Sequence, residues 1–219
     1  MSYLTLIILT LAIGMGASFW CQSSLKKYSK VASQSGLTGE SVARQMLSYY
    51  GISGVPVRMG QEGQDFFDPK SNSVTLSPSV YNGRSVTSLA TVCHECGHAC
   101  QYATGYMPMK VRTAIVPAVN LCSNAWMIVL IAGIFLNVMG LVDLAIILYA
   151  ASVVFALVTL PVEFDASSRA LKYMEQTNIS KAERDGSAAV LRSCAFTYVA
   201  AALTSLLQLV YLLGMRGND

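Results

Sequence analysis

The stretch AIVPAVNLCSNAWMIVLIAGIFL, residues 114–136, carries no charged side chain and exceeds the about 20 helical residues that cross the hydrocarbon core of a bilayer. Tyr3 to Trp20, Leu141 to Leu160 and Ala195 to Leu213 are apolar over comparable lengths. The whole chain is 53% hydrophobic and 12% charged, against about 25% charged in soluble domains. The sequence therefore predicts an α-helical membrane protein with about four transmembrane helices and a small α+β domain. It divides into a transmembrane anchor at 1–21, a polar domain at 22–113, a transmembrane hairpin at 114–160, a second polar segment at 161–194, and a transmembrane helix with a short tail at 195–219. The first stretch lacks a basic region before Tyr3 and a small-x-small site before Lys26, which favours an uncleaved anchor over a removed leader.

Basic residues set the expected orientation. All fifteen lysines and arginines except Arg216 fall in the two polar segments. The positive-inside rule then puts both segments in the cytoplasm and both termini outside, in a multi-pass protein of the cell membrane. The net charge of +3 reads as topology and contact with anionic lipid, not as nucleic-acid binding. The six cysteines do not form a disulfide framework by spacing. Cys21 reads as an interfacial cysteine, and Cys93, Cys96 and Cys100 read as reduced thiols packing one side of a helix.

Within 22–113, Thr38 caps a helix running to about Tyr50, with Val42 and Met46 on its apolar stripe. Val55, Val57 and Met59 alternate as in a strand, Asp65 to Asp68 suggest a second, and Ser73-Val74-Thr75-Leu76-Ser77 a third. Ser85 caps the next helix, which runs to about Ala103 before Gly105 and Pro108 end it.

That helix carries the two histidines of the 219-residue chain, in His94-Glu95-Cys96-Gly97-His98. A four-residue step turns about 40°, so both imidazoles leave one face and can share one ion. Glu95 stands beside them as general base, the HExxH arrangement of zinc-dependent hydrolysis, with Zn²⁺ as the expected cofactor. Cys93, Cys96 and Cys100 fall roughly 150° away and cannot join the metal.

A third ligand must come from elsewhere. There is no further histidine, and no Asp or Glu lies between His98 and Asp143, which sits at the far end of the third span. The first acidic residue on the motif's side is Glu163, followed by Asp165. Residues two apart on a helix diverge by about 160°, so one of the two faces the metal. Asp165 can pair with Arg169 one turn on, which makes Glu163 the better ligand and Asp165 the runner-up.

The runs Asp65-Phe66-Phe67-Asp68-Pro69, Leu76-Ser77-Pro78, Val80-Tyr81, His94 to Gln101 and Leu160 to Ser167 resemble the YugP-type family of bacterial membrane zinc metallopeptidases. The resemblance covers about Leu37 to Leu171. It implies a bacterial plasma-membrane protein with a zincin-like core, ligands His94, His98 and Glu163, and catalytic Glu95. Glu163-Phe164-x-Ala166 is also similar to the EFxAD signature of CAAX-protease-like gluzincins, whose aspartate position is Ser167 here.

The remaining candidates surround this site. Tyr102 and Arg169 are candidates for stabilising an oxyanion, and Gln101 projects near His94, where it can orient a ligand. Ser73, Val74, Thr75, Leu76 and Ser77 form the strand nearest in sequence to the motif helix, and an extended substrate can add to its edge. Asn120, Asn124 and Gln208 lie in the spans, where interhelical hydrogen bonding is the expected role, with substrate lining the alternative for the asparagines. Asn178-Ile179-Ser180 is a formal glycosylation sequon without meaning in the cytoplasm, whereas Ser180 and Glu183 form a capping box.

Expected partners are a peptide or protein substrate and the lipid bilayer, with membrane-protein partners or a homo-oligomer left open. Two other functions compete with a peptidase. One is a zinc-binding scaffold without proteolysis. The other is a site-2-type intramembrane protease, disfavoured because the motif is not flanked by a long apolar run and Asp143 lies across the bilayer from it.

Overall fold

The computed structural model describes residues 2–177 and 179–216, so Asn178 of the sequon lies outside the described residues. The four apolar stretches are long helices: α1 (Tyr3–Tyr28), α5 (Met107–Phe135), α6 (Met139–Gln176) and α7 (Lys181–Arg216). Each is long and apolar enough to cross a membrane. Between α1 and α5 lie α2 (Gly39–Tyr49), β1 (Val57–Met59), β2 (Phe66–Asp68), β3 (Ser73–Leu76), α3 (Pro78–Tyr81) and α4 (Val86–Ala103).

The caps are those the sequence predicts. Thr38 and Ser85 accept from the backbone N–H groups of Ser41 and Ser88, satisfying donors that open helix ends leave orphaned. Gly105 follows α4 at φ +65°, the left-handed turn that separates it from α5.

All four long helices extend past their apolar stretches beside the small domain and complete its core. Tyr28 of α1, Met109 of α5, Val162, Tyr173 and Met174 of α6, and Val190 and Leu191 of α7 pack with Val42 and Met46 of α2 and the thiol face of α4. The two polar segments of the sequence thus share one hydrophobic core. Glu183 locks this closure: its carboxylate accepts from Ser33 Oγ at 2.6 Å, Gln34 N–H at 2.9 Å and Ser180 Oγ at 2.7 Å.

Two expectations need correction. β3 is not an edge: the sheet order is β1-β3-β2, with β1 parallel and β2 antiparallel to it. Val74 and Thr75 are therefore paired on both sides, and Thr75 is not free to take a substrate. Alternation reported the two faces of the strand, which carries no information about its edges. Second, Cys21 is not a free interfacial thiol. It is disulfide-bonded to Cys194, with Cα atoms 4.7 Å apart, and joins α1 to α7. The partners are 173 residues apart, and only the packing of those two helices brings them together. Cys93, Cys96 and Cys100 are free and buried, as expected.

Among the long helices α5 packs on α6, α6 on α7, and α7 on α1. Among the described residues no comparable contact joins α5 to α7, α5 to α1 or α6 to α1. At the ends remote from the small domain, Arg216 meets Asp143 at 2.7 Å, so α7 finishes where α6 begins.

Candidate metal centre

The site forms where α4 crosses α6. Gly97, inside the motif, lies against the backbone of Ala166, and a Cβ there would stand 2.5 Å from the Ala166 carbonyl oxygen. Only glycine permits that approach. It places His94 Nε2 3.2 Å and His98 Nε2 3.6 Å from Oε2 of Glu163. The donor atoms of these three residues all lie within 4.8 Å of one another.

These distances fit zinc. Tetrahedral coordination with bonds of 2.0–2.1 Å separates ligand atoms by about 3.3 Å. The surrounding hydrogen bonds also leave the correct nitrogens bare. Gln101 donates its amide to Val162 O at 2.7 Å and Asp165 Oδ2 at 2.8 Å, so its oxygen at 3.0 Å accepts from His98 Nδ1–H. The proton on Nδ1 exposes the Nε2 lone pair toward Glu163. Ser167 Oγ stands 3.2 Å from His94 Nδ1 and orients the other imidazole in the same sense.

Glu95 is buried beside the pair, and the backbone N–H of Phe67 on β2 donates to its Oε2 at 2.9 Å. Burial raises the Glu95 carboxyl above its ordinary pKa, opposed by the two histidines. Burial acts on Glu163 in the same sense, but hydrogen bonds with His94 and His98 outweigh it and hold that carboxyl low. The two carboxyls are thus shifted in opposite directions.

The remaining candidates separate. Asp165 turns from the trio and accepts from Arg169 Nε at 2.6 Å, with the Arg169 guanidinium over the Tyr106 ring. Tyr102 stacks on Phe67, their ring centroids 5.7 Å apart. A cavity of about 310 Å³ opens over His94, Glu95, His98 and Glu163, and neither Tyr102 nor Arg169 lines it. Arg112 at the start of α5 and Tyr198 of α7 do. Arg112 Nη1 lies 3.6 Å from Glu163 Oε1, and the Tyr198 hydroxyl also faces that carboxylate. Sequence reasoning missed both, although Arg112 is the last cation before the second apolar stretch and so had a signal.

A fold of this kind, with two histidines and a glutamate converging beside a second glutamate, belongs to a protein family. Residues 3–217 match the family described as "Putative neutral zinc metallopeptidase", and the chain is a member of it. It is 41% identical to the "Putative membrane protease YugP" of Bacillus subtilis (strain 168), over 97% of this chain and 98% of that protein. No solved structure matches the chain.

Proposed function

We propose that the chain is a membrane-embedded metallopeptidase that hydrolyses peptide bonds at the cytoplasmic membrane surface, with Glu95 as general base. The observation that carries this reading is the convergence of His94, His98 and Glu163 beside a separately held Glu95 over one cavity. A bound zinc would supply a fourth position for water and lower its pKa toward about 7. Glu95, raised by burial, takes the proton of the attacking water and returns it to the leaving amine, a role worth about 10² to 10⁴ in rate. Arg112 and Tyr198 are the donors placed to face a developing oxyanion. The strand edge bordering the cavity is β2, whose Phe66, Phe67 and Asp68 line it, and an extended peptide adds there.

Two features bear on orientation in opposite senses. The lysines and arginines favour a cytoplasmic small domain, whereas the Cys21–Cys194 bond favours an oxidising compartment. We give the charges priority because they are spread over both polar segments.

A zinc-binding scaffold would have no use for a base held beside its ligands, which disfavours that alternative. The test compares Glu95→Gln with Glu163→Ala. The first should keep about one zinc per chain and lose proteolysis, and the second should lose both. Proteolysis retained by Glu95→Gln removes Glu95 from the mechanism. Retained zinc in Glu163→Ala removes the third ligand.

A further inference from the structure

We propose that the groove between α6 and α7 is a binding site for an anionic phospholipid, whose headgroup phosphate sits on Lys172 and Arg192. The inference goes beyond the peptidase reading and holds whether or not the chain cleaves peptides.

One face of each helix forms the groove. Phe164, Ser168, Leu171 and Lys172 recur at helical spacing on α6, as Ala188, Leu191, Arg192 and Ala195 do on α7, and together they line a cavity of about 670 Å³. Another face of α6 carries Val162, Tyr173 and Met174 into the core. Phe164, Ser168, Lys172 and Arg192 are exposed, so the groove lies open along the outside of the helix pair.

Aromatic side chains fix its depth. Trp20, Phe164 and Phe196 are exposed and stand at the ends of three apolar stretches. Trp20 packs on Phe196 with ring centroids 5.4 Å apart, and Phe164 shares the cavity with Ala195, the neighbour of Phe196, so the three lie at one level. Such belts mark the boundary between acyl chains and headgroups. Ser168 is one helical turn beyond Phe164, and Arg192 one turn beyond Phe196 on the same side, which puts both about 5–6 Å outside the belt. The headgroup layer is about 5–8 Å thick on each side of the hydrocarbon. Both side chains therefore stand at the depth of a lipid phosphate.

The chain direction brings the cations together. Helical side chains lean toward the N-terminus of their own helix. α6 runs out of the apolar region and α7 runs back into it, so Lys172 leans toward the bilayer and Arg192 away from it, into the cavity they share. Among the described residues neither belongs to an ion pair.

Charge and polarity then select the occupant. Glu175 lines the end of the groove remote from the belt, so two cations and one carboxylate leave a net charge of +1. That complements the single negative charge of phosphatidylglycerol, whereas a zwitterionic headgroup brings no net charge. Phe164, Leu191 and Ala195 continue from the cations to the belt as an apolar wall for an acyl chain. A free phosphate would use the cations and leave that wall uncovered.

The experiment uses the full-length protein in phosphatidylcholine nanodiscs. Its probe is phosphatidylglycerol with a diazirine in the headgroup, and adducts are located by mass spectrometry. They should fall within 164–176 and 188–195. Unlabelled phosphatidylglycerol should displace the probe at about one fifth of the concentration that phosphatidylethanolamine requires, at about fivefold per unit of charge. Lys172→Gln or Arg192→Gln should remove that preference. Glu175→Gln should sharpen it by about a further fivefold, a gain that misfolding does not produce. Lys26→Gln, which removes an equal charge from the last turn of α1, should leave it unchanged.

Adducts outside the groove, equal displacement by the two lipids, or an equal loss in Lys26→Gln overturn the site. So does an unchanged preference in Lys172→Gln, Arg192→Gln and Glu175→Gln. Displacement by inorganic phosphate or by an acidic peptide at concentrations matching phosphatidylglycerol overturns the lipid as occupant.

Discussion

Replacing Gly97 by alanine would test whether the close approach of α4 to α6 sets the geometry of the metal centre. The added Cβ would stand 2.5 Å from the Ala166 carbonyl oxygen and 3.1 Å from the Ala166 carbonyl carbon and Cα. All three are backbone atoms of α6, so no side-chain rotation relieves the clash. Restoring ordinary contact requires the helices to part by about 1 Å. Zinc sites hold their ligands within about 0.2 Å, so a shift of that size separates Glu163 from the histidine pair.

Overpacking of this kind costs about 1–3 kcal/mol, which for a chain of this length lowers Tm by about 3–10 °C. Zinc affinity should fall by about ten- to a hundredfold, as when groups that orient ligands are removed. Competition with a chromophoric chelator in detergent measures the affinity, and a thermal melt measures stability. Gly133→Ala is the control: its Cβ would come within 2.9 Å of Val142 N, between α5 and α6 and far from the site. That variant should lose stability with zinc affinity intact. Wild-type zinc affinity in a folded Gly97→Ala protein would refute the reasoning.

Tyr198→Phe and Arg112→Gln should each lower kcat about 10²- to 10³-fold if they face the oxyanion, measured on a peptide the wild type cleaves. Full activity in both would remove Arg112 and Tyr198 from that role. Single cysteines near Lys70 and Lys172, in a cysteine-free background, should resist an impermeant thiol reagent in intact cells while one near Asn137 reacts. Labelling at Lys70 and Lys172 would invert the orientation and make Cys21–Cys194 an extracytoplasmic disulfide. Burial would raise the Glu183 carboxyl, but hydrogen bonds from Ser33, Ser180 and the Gln34 amide outweigh it and lower its pKa on folding. Its stabilisation is therefore complete above its unfolded pKa and lost as pH falls through the folded value. Glu183→Gln should melt below wild type at pH 7, with the gap closing as the medium is acidified below about pH 4; a gap that is constant with pH would remove the linkage.

Features written in local periodicity were legible in the sequence. The apolar stretches, the Ser85 cap and the His94–His98 step each depend on residues within a few turns of one another. Glu163 was also reachable, because a chain with few acidic residues leaves few candidates on the motif's side. What escaped depends on how distant helices meet. Tyr198 reaches the cavity only because α7 packs on α6, and Cys21 meets Cys194 only because α1 packs on α7. Ser167 braces His94 where the related signature has an aspartate, a substitution whose geometric adequacy no spacing reveals. The order β1-β3-β2 was hidden for a similar reason, since two short strands compete equally for a place beside Ser73–Leu76.

The split origin of the ligands bears on biogenesis. During synthesis His94 leaves the ribosome 69 residues ahead of Glu163, and all of α5 and the whole apolar stretch of α6 must emerge in between. A nascent chain therefore holds its base and two imidazoles for a time without the donor that completes the set. On the peptidase reading proposed above, hydrolytic competence arrives only with α6, after all of α5 has been made, so a chain that stops short of α6 is not an active protease. On the same reading, a fragment ending at residue 113 lacks Glu163 and is born inactive.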